Sequence, residues 1–289
     1  MTLDIIGKKP LEGKVGVEMG AMSKHFWEKL TAKLPEPAIV DGSGVMREVR
    51  VIKTPWEIEM LRIAAQHLER TFECVAADLK PGMPAWKLDA LFTYYAGKEN
   101  LDLGTMGRTS IFIPAAGPYF GLCGVPRGYI LKEGDVIKFD VGFQHLGYHS
   151  DIARTFAVGG TASDAVQEVY DVLYKANRLG VSMLKPGVKC SEIYNAVRAD
   201  VEKSSILPEY PRGHVGHSVG CWISPEEYPT LGPGTDVVIQ PNMVFCLETP
   251  YSATGNAPVI GGFNLEDTHV ITENGCESFT TMPDNIFWK

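Results

Sequence analysis

The chain's 289 residues are 45% hydrophobic and 21% charged, which is enough to bury a sizeable core in one large domain or two small ones. The formal net charge of −8, from 27 basic and 35 acidic residues, argues against nucleic acid or an anionic membrane surface as the main partner. No stretch is apolar for long enough to span a bilayer, the amino terminus has no continuous apolar signal core, and the six cysteines include no CxxC pair. The sequence therefore predicts a cytoplasmic protein with reduced thiols.

The first segment predicts a small β-α-β fragment. Residues 14–19 (KVGVEM) and 37–43 (PAIVDGS) have the composition of short strands. Residues 23–34 between them place Phe26 and Leu30 four positions apart, the spacing of a helix face. Such a fragment is too small to bury its own core, so it is expected to pack on the remainder of the chain or on a partner chain.

A strong helix start follows at Thr54, where Pro55 takes the first helical position and Glu57 lies three residues after the cap. Apolar residues at helical spacing continue to an LKPG stretch at 79–82, where Pro and Gly end the helix. A second, shorter helix is predicted over 86–98.

A second LKPG stretch, at 184–187, indicates an internal repeat with an offset of 105 residues. It follows a predicted helix over about 162–183 and precedes a shorter one, as the first copy does. Strand patterns lie between and after the helices, in VIKFDVGF, SDIARTFAV, MVFCLETPY and FNLEDTHVIT. Helix pairs alternating with hairpins predict an α+β fold with an antiparallel sheet, in two related halves.

Two aspartates, Asp140 and Asp151, lie in apolar, strand-like surroundings where a carboxylate is costly. If residues 136–142 and 149–157 form a hairpin that turns near 145–146, residues whose numbers sum to 291 pair with each other. The two aspartates are then directly opposite, with Cβ atoms roughly 5 Å apart. Either one carboxyl is protonated or a cation lies between them; the alternative is a solvated hairpin with two surface acids.

Other candidate ligands lie further along the chain. HVGHSVG places His214 and His217 in a Gly-rich stretch, and Glu248 and Glu266 each lie at an apolar strand. Taken alone, each of these residues has a structural explanation: a histidine can be hydrogen-bonded in the core, and a glutamate can lie at the end of a strand. Together with the aspartates they provide four carboxylates and one imidazole, a set that suits Mn, Co, Fe or Zn. Four carboxylates carry more charge than one divalent ion balances, so two ions about 3.5–4 Å apart are predicted.

The order of these residues resembles the pita-bread metallopeptidase family, which includes methionine aminopeptidases, Xaa-Pro aminopeptidases, prolidases and creatinase. Gaps of 11, 66, 31 and 18 separate the two aspartates, the histidine of GHSVG, and the glutamates of PNMVFCLETP and LEDTHVITENG. The resemblance covers about residues 45–289 and implies an α+β pita-bread fold, with two pseudo-symmetric halves around a curved antiparallel sheet. RVIKTPWEIEMLRIAA resembles the interdomain segment of the prolidase and creatinase branch. Residues 1–45 are therefore expected to be the remnant of a truncated amino-terminal domain, and 46–289 the catalytic domain.

The resemblance also implies a role for each ligand. Asp140 would bind the first metal ion, and Asp151 and Glu266 would bridge to the second. His217 and Glu248 would bind the second ion. Glu248 would in addition be catalytic, passing a proton to the leaving nitrogen.

Three positions depart from the pattern of the family's peptidases. Cys123 and Ser224 occupy positions where those peptidases usually have histidines, and Asn264 replaces an arginine often found two residues before the last ligand. His214 is either a substrate-binding replacement for a lost imidazole or a surface histidine. Cys123 is either a substrate contact or a small buried residue, and the second is favoured.

These features predict a dinuclear metal-dependent hydrolase of a peptide or amide C–N bond, similar to Xaa-Pro aminopeptidases and dipeptidases. One alternative is a creatinase-like hydrolase of a small non-peptide metabolite, favoured by the serine of GHSVG and the carboxyl-terminal tail. Another is a non-catalytic binding member of the fold. The resemblance further implies a homodimer, because in the two-domain branch the amino-terminal domain often completes a neighbour's active site.

Overall fold

The structure, a computed structural model, describes residues 13–34, 38–101, 128–221, 226–253 and 261–284. The chain forms two compact units, residues 1–52 and 53–289. The expected assignment of residues 1–45 and 46–289 to separate domains stays a prediction. Among the described residues, no helix combines the length and the apolar character needed to cross a membrane.

The amino-terminal unit has the β-α-β order predicted for it. Its elements are β1 (Val15–Val17), a 3-10 turn (Met19–Ala21), α1 (Lys24–Thr31), β2 (Ile39–Asp41) and α2 (Ser43–Val51). The two strands pair in parallel. Ser23 caps α1, because its Oγ accepts a hydrogen bond of 3.2 Å from the backbone N–H of Phe26.

The larger unit alternates helix pairs with strands, as predicted. In chain order its elements are α3 (Pro55–Asp78), α4 (Lys87–Lys98), β3 (Val136–Val141), β4 (Gln144–His145), β5 (Tyr148–His149), β6 (Ile152–Ala157), a 3-10 turn (Val158–Gly160), α5 (Asp164–Met183), α6 (Cys190–Glu202), β7 (Gly216–Ser218), β8 (Glu227–Thr230), β9 (Val244–Glu248), β10 (Tyr251–Ala253), β11 (Gly261–Phe263), β12 (Glu266–Ile271) and β13 (Cys276–Ser278). The main sheet is antiparallel, with the strand order β3-β6-β12-β9-β7-β8, and β13 pairs with β12. This confirms the predicted α+β class.

The helices cover the sheet through apolar side chains. The long helix α3 begins with the predicted capping box, in which Thr54 N donates to Glu57 at 2.7 Å and Glu57 N donates to Thr54 at 3.3 Å. Phe72 of α3 and Phe92 of α4 pack edge-to-face on each other, and Phe92 packs in the same way on Phe139 of β3. These contacts belong to a fully buried cluster that fixes β3 and β6 beneath the helices.

The two LKPG stretches have equivalent backbone geometry, which supports the predicted internal repeat. Gly82 has φ +83° and its N–H donates to Leu131 O at 2.8 Å. Gly187 has φ +91° and its N–H donates to Ile239 O at 3.0 Å. Each glycine lies four residues after the last residue of a long helix, in a conformation that other residues rarely adopt, and its N–H ties the chain to a segment that precedes a strand of the main sheet.

The predicted register of the aspartate hairpin is wrong by two residues. Asp140 lies opposite Ala153, not opposite Asp151. The turn consists of Leu146 and Gly147, with φ of +50° and +84°, one position later than predicted. A two-residue hairpin turn of this kind needs positive φ at both central residues, and Gly147 adopts it without steric cost. Because the error is an even number of residues, both aspartates still point to one face of the sheet.

Candidate metal centre

Three of the predicted ligands lie in one row across the sheet. Asp140 on β3 pairs with Ala153 on β6, Ala153 pairs with Glu266 on β12, and Glu266 pairs with Glu248 on β9. Carboxylate oxygens of Asp140, Glu248 and Glu266 all lie within 4.8 Å of one another. The small side chain of Ala153 leaves room between the carboxylates of the neighbouring strands.

A second row, two positions along each strand, faces the same side. It contains His217 on β7, Cys246 on β9 and Thr268 on β12, and Thr268 Oγ1 donates to the backbone carbonyl of Asp151 at 3.1 Å. His217 Nε2 lies 3.5 Å from Glu266 Oε1 and 3.9 Å from Asp151 Oδ2. The structure therefore brings together all five residues predicted to be metal ligands.

The hydrogen bond of His217 determines which ring nitrogen can bind a cation. Nδ1 lies 3.0 Å from the backbone carbonyl of Ser218. Because a carbonyl can only accept a hydrogen bond, Nδ1 carries the proton, and the unprotonated Nε2 faces the carboxylates with a lone pair that can bind a cation. Behind this strand, Lys53 Nζ donates to Ser218 Oγ at 2.7 Å. Burial lowers the pKa of Lys53 to about 8, and the bond ties β7 to the start of α3.

Burial and mutual repulsion raise the pKa values of two carboxyls in the cluster. Burial, and then the negative charges of Glu266 and Asp140, raise the pKa of Asp151 well above its ordinary value. Burial, and then the charges of Glu248 and Asp140, raise the pKa of Glu266 in the same way. Glu266 Oε1 is buried and has no hydrogen-bond partner among the described residues. The cluster offers buried carboxylate oxygens and one imidazole nitrogen as ligand atoms, and one of the oxygens, Glu266 Oε1, is unsatisfied. Such a set of ligand atoms fits a divalent metal ion.

Protein donors surround the carboxylates on one side. Asn264 Nδ2 lies 3.4 Å from Asp140 Oδ2, 3.3 Å from Glu248 Oε2 and 3.4 Å from Glu266 Oε2. The side-chain amide of Asn264 thus faces three of the predicted metal ligands. It occupies the position where the resemblance led us to expect an arginine. Lys138 Nζ adds a fourth contact, 2.8 Å from Asp140 Oδ2.

The substrate-binding candidate His214 lies at the same cluster. Its Nδ1 is 3.3 Å from Glu248 Oε1, and Arg212 Nη2 donates to that same oxygen at 2.6 Å. Burial lowers the pKa of His214, against the opposing charge of Glu248, so the neutral imidazole is favoured. The other candidate, Cys123, lies outside the described residues, as does Ser224.

Sequence reasoning missed three residues of this site, Lys138, Arg212 and Cys246. Lys138 and Cys246 each precede a predicted ligand by two positions on the same strand, so the twofold periodicity of a strand was a signal that could have found them. Cys246 is fully buried, and its thiol lies within 4.8 Å of ligand atoms of His217 and Glu266. Arg212 comes from the segment before β7, where no periodicity indicates its direction.

Comparisons with known proteins find similar sequences over most of the chain. Residues 59–273 match the family model described as Metallopeptidase family M24. The Xaa-Pro dipeptidase of Lactobacillus helveticus is 27% identical over 270 residues, which are 91% of this chain and 69% of that protein. The probable dipeptidase PepE of Mycobacterium tuberculosis (strain H37Rv) is 30% identical over 286 residues, which are 98% of this chain and 71% of that protein.

Solved structures have the same fold. The Xaa-Pro dipeptidase from Bacillus anthracis superposes with a TM-score of 0.84 at 25% identity, over 99% of this chain and 78% of that one. The prolidase from Pyrococcus furiosus superposes with a TM-score of 0.78 at 23% identity, over 94% of this chain and 77% of that one. The pita-bread fold expected from the sequence is therefore confirmed.

Proposed function

The chain belongs to metallopeptidase family M24, and from this premise we propose that it hydrolyses the peptide bond before proline in small Xaa-Pro peptides. Similar proteins named Xaa-Pro dipeptidase support the substrate class. The observation that carries the proposal is the convergence of Asp140, Glu248 and Glu266 within 4.8 Å, with His217 Nε2 directed at Glu266.

The proposed site holds two divalent ions, of Mn, Co, Fe or Zn. Asp140 would hold one ion and His217 with Glu248 the other, while Asp151 and Glu266 would contact both. The position of Glu266 in its row supports the bridging role. On one side Glu266 pairs with Glu248, and on the other side it pairs with Ala153, which in turn pairs with Asp140. When bound, the ions polarise the scissile carbonyl and lower the pKa of the attacking water.

The protein's own side chains would transfer the proton and orient the substrate. Arg212 holds Glu248 through Oε1 at 2.6 Å, which fixes the carboxylate that accepts a proton from the attacking water and returns it to the leaving proline nitrogen. The neutral imidazole of His214, whose Nδ1 lies 3.3 Å from the same carboxylate, would contact the substrate. Both groups come from the segment before β7, so one segment positions the base and the substrate.

The direct test is hydrolysis of Xaa-Pro dipeptides by protein loaded with Mn²⁺, Co²⁺, Fe²⁺ or Zn²⁺. We expect turnover that chelation abolishes and metal restores, and that Asp151→Asn reduces at least ~1,000-fold, because it removes a carboxylate proposed to contact both ions. Asp171→Asn, an exposed acid on α5, is the matched control and should retain full activity.

The substrate panel also contains creatine, and dipeptides that lack proline. Turnover of creatine alone, unaffected by chelation, would establish the creatinase-like alternative instead. Full activity of the Asp151→Asn variant would reject the metal-dependent mechanism.

A cytoplasmic location and a homodimer complete the proposal. The acidic balance of the chain, with a net charge of −8, supports a small peptide or amide as the partner in preference to nucleic acid or an anionic membrane.

A further inference from the structure

Two histidines that are not among the predicted ligands of the candidate metal centre lie side by side. His67 is on α3, and His145 is the last residue of β4, just before the turn of the β4–β5 hairpin. The centres of their imidazole rings are 5.9 Å apart, and the ring planes are tilted by 35°. Aromatic pairs prefer offset-stacked or edge-to-face arrangements, so the tilted pair is not a typical packing contact.

The hydrogen bond of His67 leaves one ring nitrogen ready for a cation. Nδ1 is hydrogen-bonded to the backbone carbonyl of Glu99, the residue that follows α4. Because a carbonyl can only accept, Nδ1 carries the proton, and the neutral ring has its lone pair on Nε2. A hydrogen bond of this kind orients the imidazole of many histidines that bind metal ions.

The other ring nitrogens of the pair are available for binding. Among the described residues, neither Nε2 of His67 nor either nitrogen of His145 has a hydrogen-bond partner. Both residues are only partly buried, so an ion can reach them from solvent. One ion pair lies beside His67: Glu99 Oε2, 3.8 Å from His67 Nδ1, accepts from Arg70 Nε at 2.7 Å. These two charges offset each other, so the arginine does not leave a net positive charge that would repel a cation.

The separation of the rings fits two imidazoles on one ion. A Zn–N bond is about 2.0–2.1 Å long, so two rings bound to one ion have centres roughly 5–6.5 Å apart. The observed 5.9 Å lies within this range. Imidazole nitrogens suit Zn²⁺, Cu²⁺ and Ni²⁺, whereas carboxylates also suit harder ions such as Mn²⁺. The pair therefore offers a set of ligand atoms different from the carboxylate-rich set of the candidate metal centre.

We propose that His67 and His145 together bind one Zn²⁺, Cu²⁺ or Ni²⁺ ion, which fastens the β4–β5 hairpin to α3. Each histidine supplies one nitrogen, and water completes the coordination. The strand β4 already contacts α3, and the hairpin connects β3, which contains Asp140, to Asp151 and β6. The ion thus restrains the segment that joins two residues of the candidate metal centre. The inference depends neither on the proposed substrate nor on the number of ions at that centre.

The test is a calorimetric titration of the full chain with Zn²⁺, after the candidate metal centre has been loaded with Mn²⁺ and free Mn²⁺ has been removed. The wild-type protein should show a binding event that His145→Gln weakens at least ~10-fold, because one of two protein ligands is lost. His145→Gln removes no hydrogen bond between described residues. His67→Gln should weaken the same event and serves as the second variant if the first does not fold.

His25→Gln is the matched control, because it removes an exposed histidine on α1, and it should leave the titration unchanged. Any exchange of Mn²⁺ for Zn²⁺ at the candidate metal centre is common to all these proteins, so it cancels when their titrations are compared.

Hydrogen exchange measures whether the ion fastens the hairpin. At a Zn²⁺ concentration ten times the dissociation constant, exchange of the β4 and β5 amides should slow ~10-fold in the wild-type protein, because opening the hairpin must first release the ion. The same amides should not respond in His145→Gln.

Two results would overturn the inference. Equal Zn²⁺ affinities of the wild-type protein and both histidine variants would show that the two rings only pack on each other. A Zn²⁺ binding event that leaves hydrogen exchange in the hairpin unchanged would reject the fastening of the hairpin to α3. Neither measurement contains a peptide substrate, so failure of the proposed function would leave both results unaffected.

Discussion

Two adjacent acids on β12 have opposite surroundings. Glu266 faces the carboxylate cluster, whereas Asp267 faces the other side of the sheet and binds Arg154 Nη2 at 2.7 Å. Arg154 is also buried, and its Nη1 donates to the backbone carbonyls of Ala153 and Glu266 at 2.8 Å each. The pair is thus fully hydrogen-bonded, as a buried ion pair must be, while the neighbouring Glu266 keeps an unsatisfied oxygen suited to a cation.

His269, three positions further along β12, supplies a prediction about acid stability. Burial lowers its pKa to about 4, below the unfolded value near 6.5. The unfolded chain therefore takes up the proton first as the pH falls, so the free energy of unfolding decreases between pH 6.5 and 4, by about 3 kcal/mol. Above pH 6.5 this contribution is fully retained.

The measurement is urea unfolding of metal-free protein from pH 7 to 4.5. His269→Gln should lose less stability over this range than the wild type, whatever its stability at pH 7. His25→Gln, at an exposed position, should follow the wild-type slope. Parallel slopes for wild type and His269→Gln would show that this histidine does not cause the acid sensitivity.

At the scale of one element, the turn between β4 and β5 sets the register that places the aspartates. Leu146 has φ +50° and is 64% exposed, and Gly147 has φ +84°. A Cβ added at Gly147 would meet no atom within 4 Å. Substitutions here therefore test backbone conformation without a packing contribution.

The two turn positions should respond with opposite signs. Leu146→Asn should stabilise the protein by about 1 kcal/mol, because asparagine tolerates the left-handed conformation better than leucine does, and Gly147→Ala should destabilise it by about 1–2 kcal/mol. Gly97→Ala, at an exposed helical glycine with open space around it, is the control and should be neutral or stabilising. Urea unfolding measures all three, and destabilisation by Leu146→Asn would contradict this view of the turn.

At the scale of the whole molecule, the strands β3, β9 and β12 bring the carboxylates of Asp140, Glu248 and Glu266 close together, and their negative charges repel one another. Because the folded protein assembles the ligands and the unfolded chain does not, metal binding should stabilise the fold. At metal concentrations 100-fold above the dissociation constant, the melting temperature should rise by roughly 5–10 °C.

Glu266→Gln separates charge repulsion from metal binding. Without metal, this variant should melt no lower than the wild type, because a neutral amide relieves the repulsion from Glu248 and Asp140. It should gain little from added metal. Scanning calorimetry with and without chelator measures both effects, and a wild-type gain retained in the variant would exclude Glu266 as a ligand.

Much of the fold was predictable because its signals are local. The Thr54 capping box, the two LKPG stretches and the strand alternation each depend on residues within one turn or one strand, and the structure contains all of them. The spacing of Asp140 and Asp151 likewise indicated a shared face, although the predicted pairing was wrong. The family match confirms that these motifs indicate a metallopeptidase.

The sequence by itself therefore determined the element order, since this follows from periodicity along the chain, and the resemblance of its motifs indicated the family and five candidate ligands. Only the tertiary structure decided that β12 lies between β6 and β9, which aligns Asp140, Glu266 and Glu248 in one row. It also decided that Lys138, Asn264 and Arg212 surround that row. Strand neighbours and cross-strand contacts depend on hydrogen bonds between segments far apart in the chain, and no local pattern encodes them.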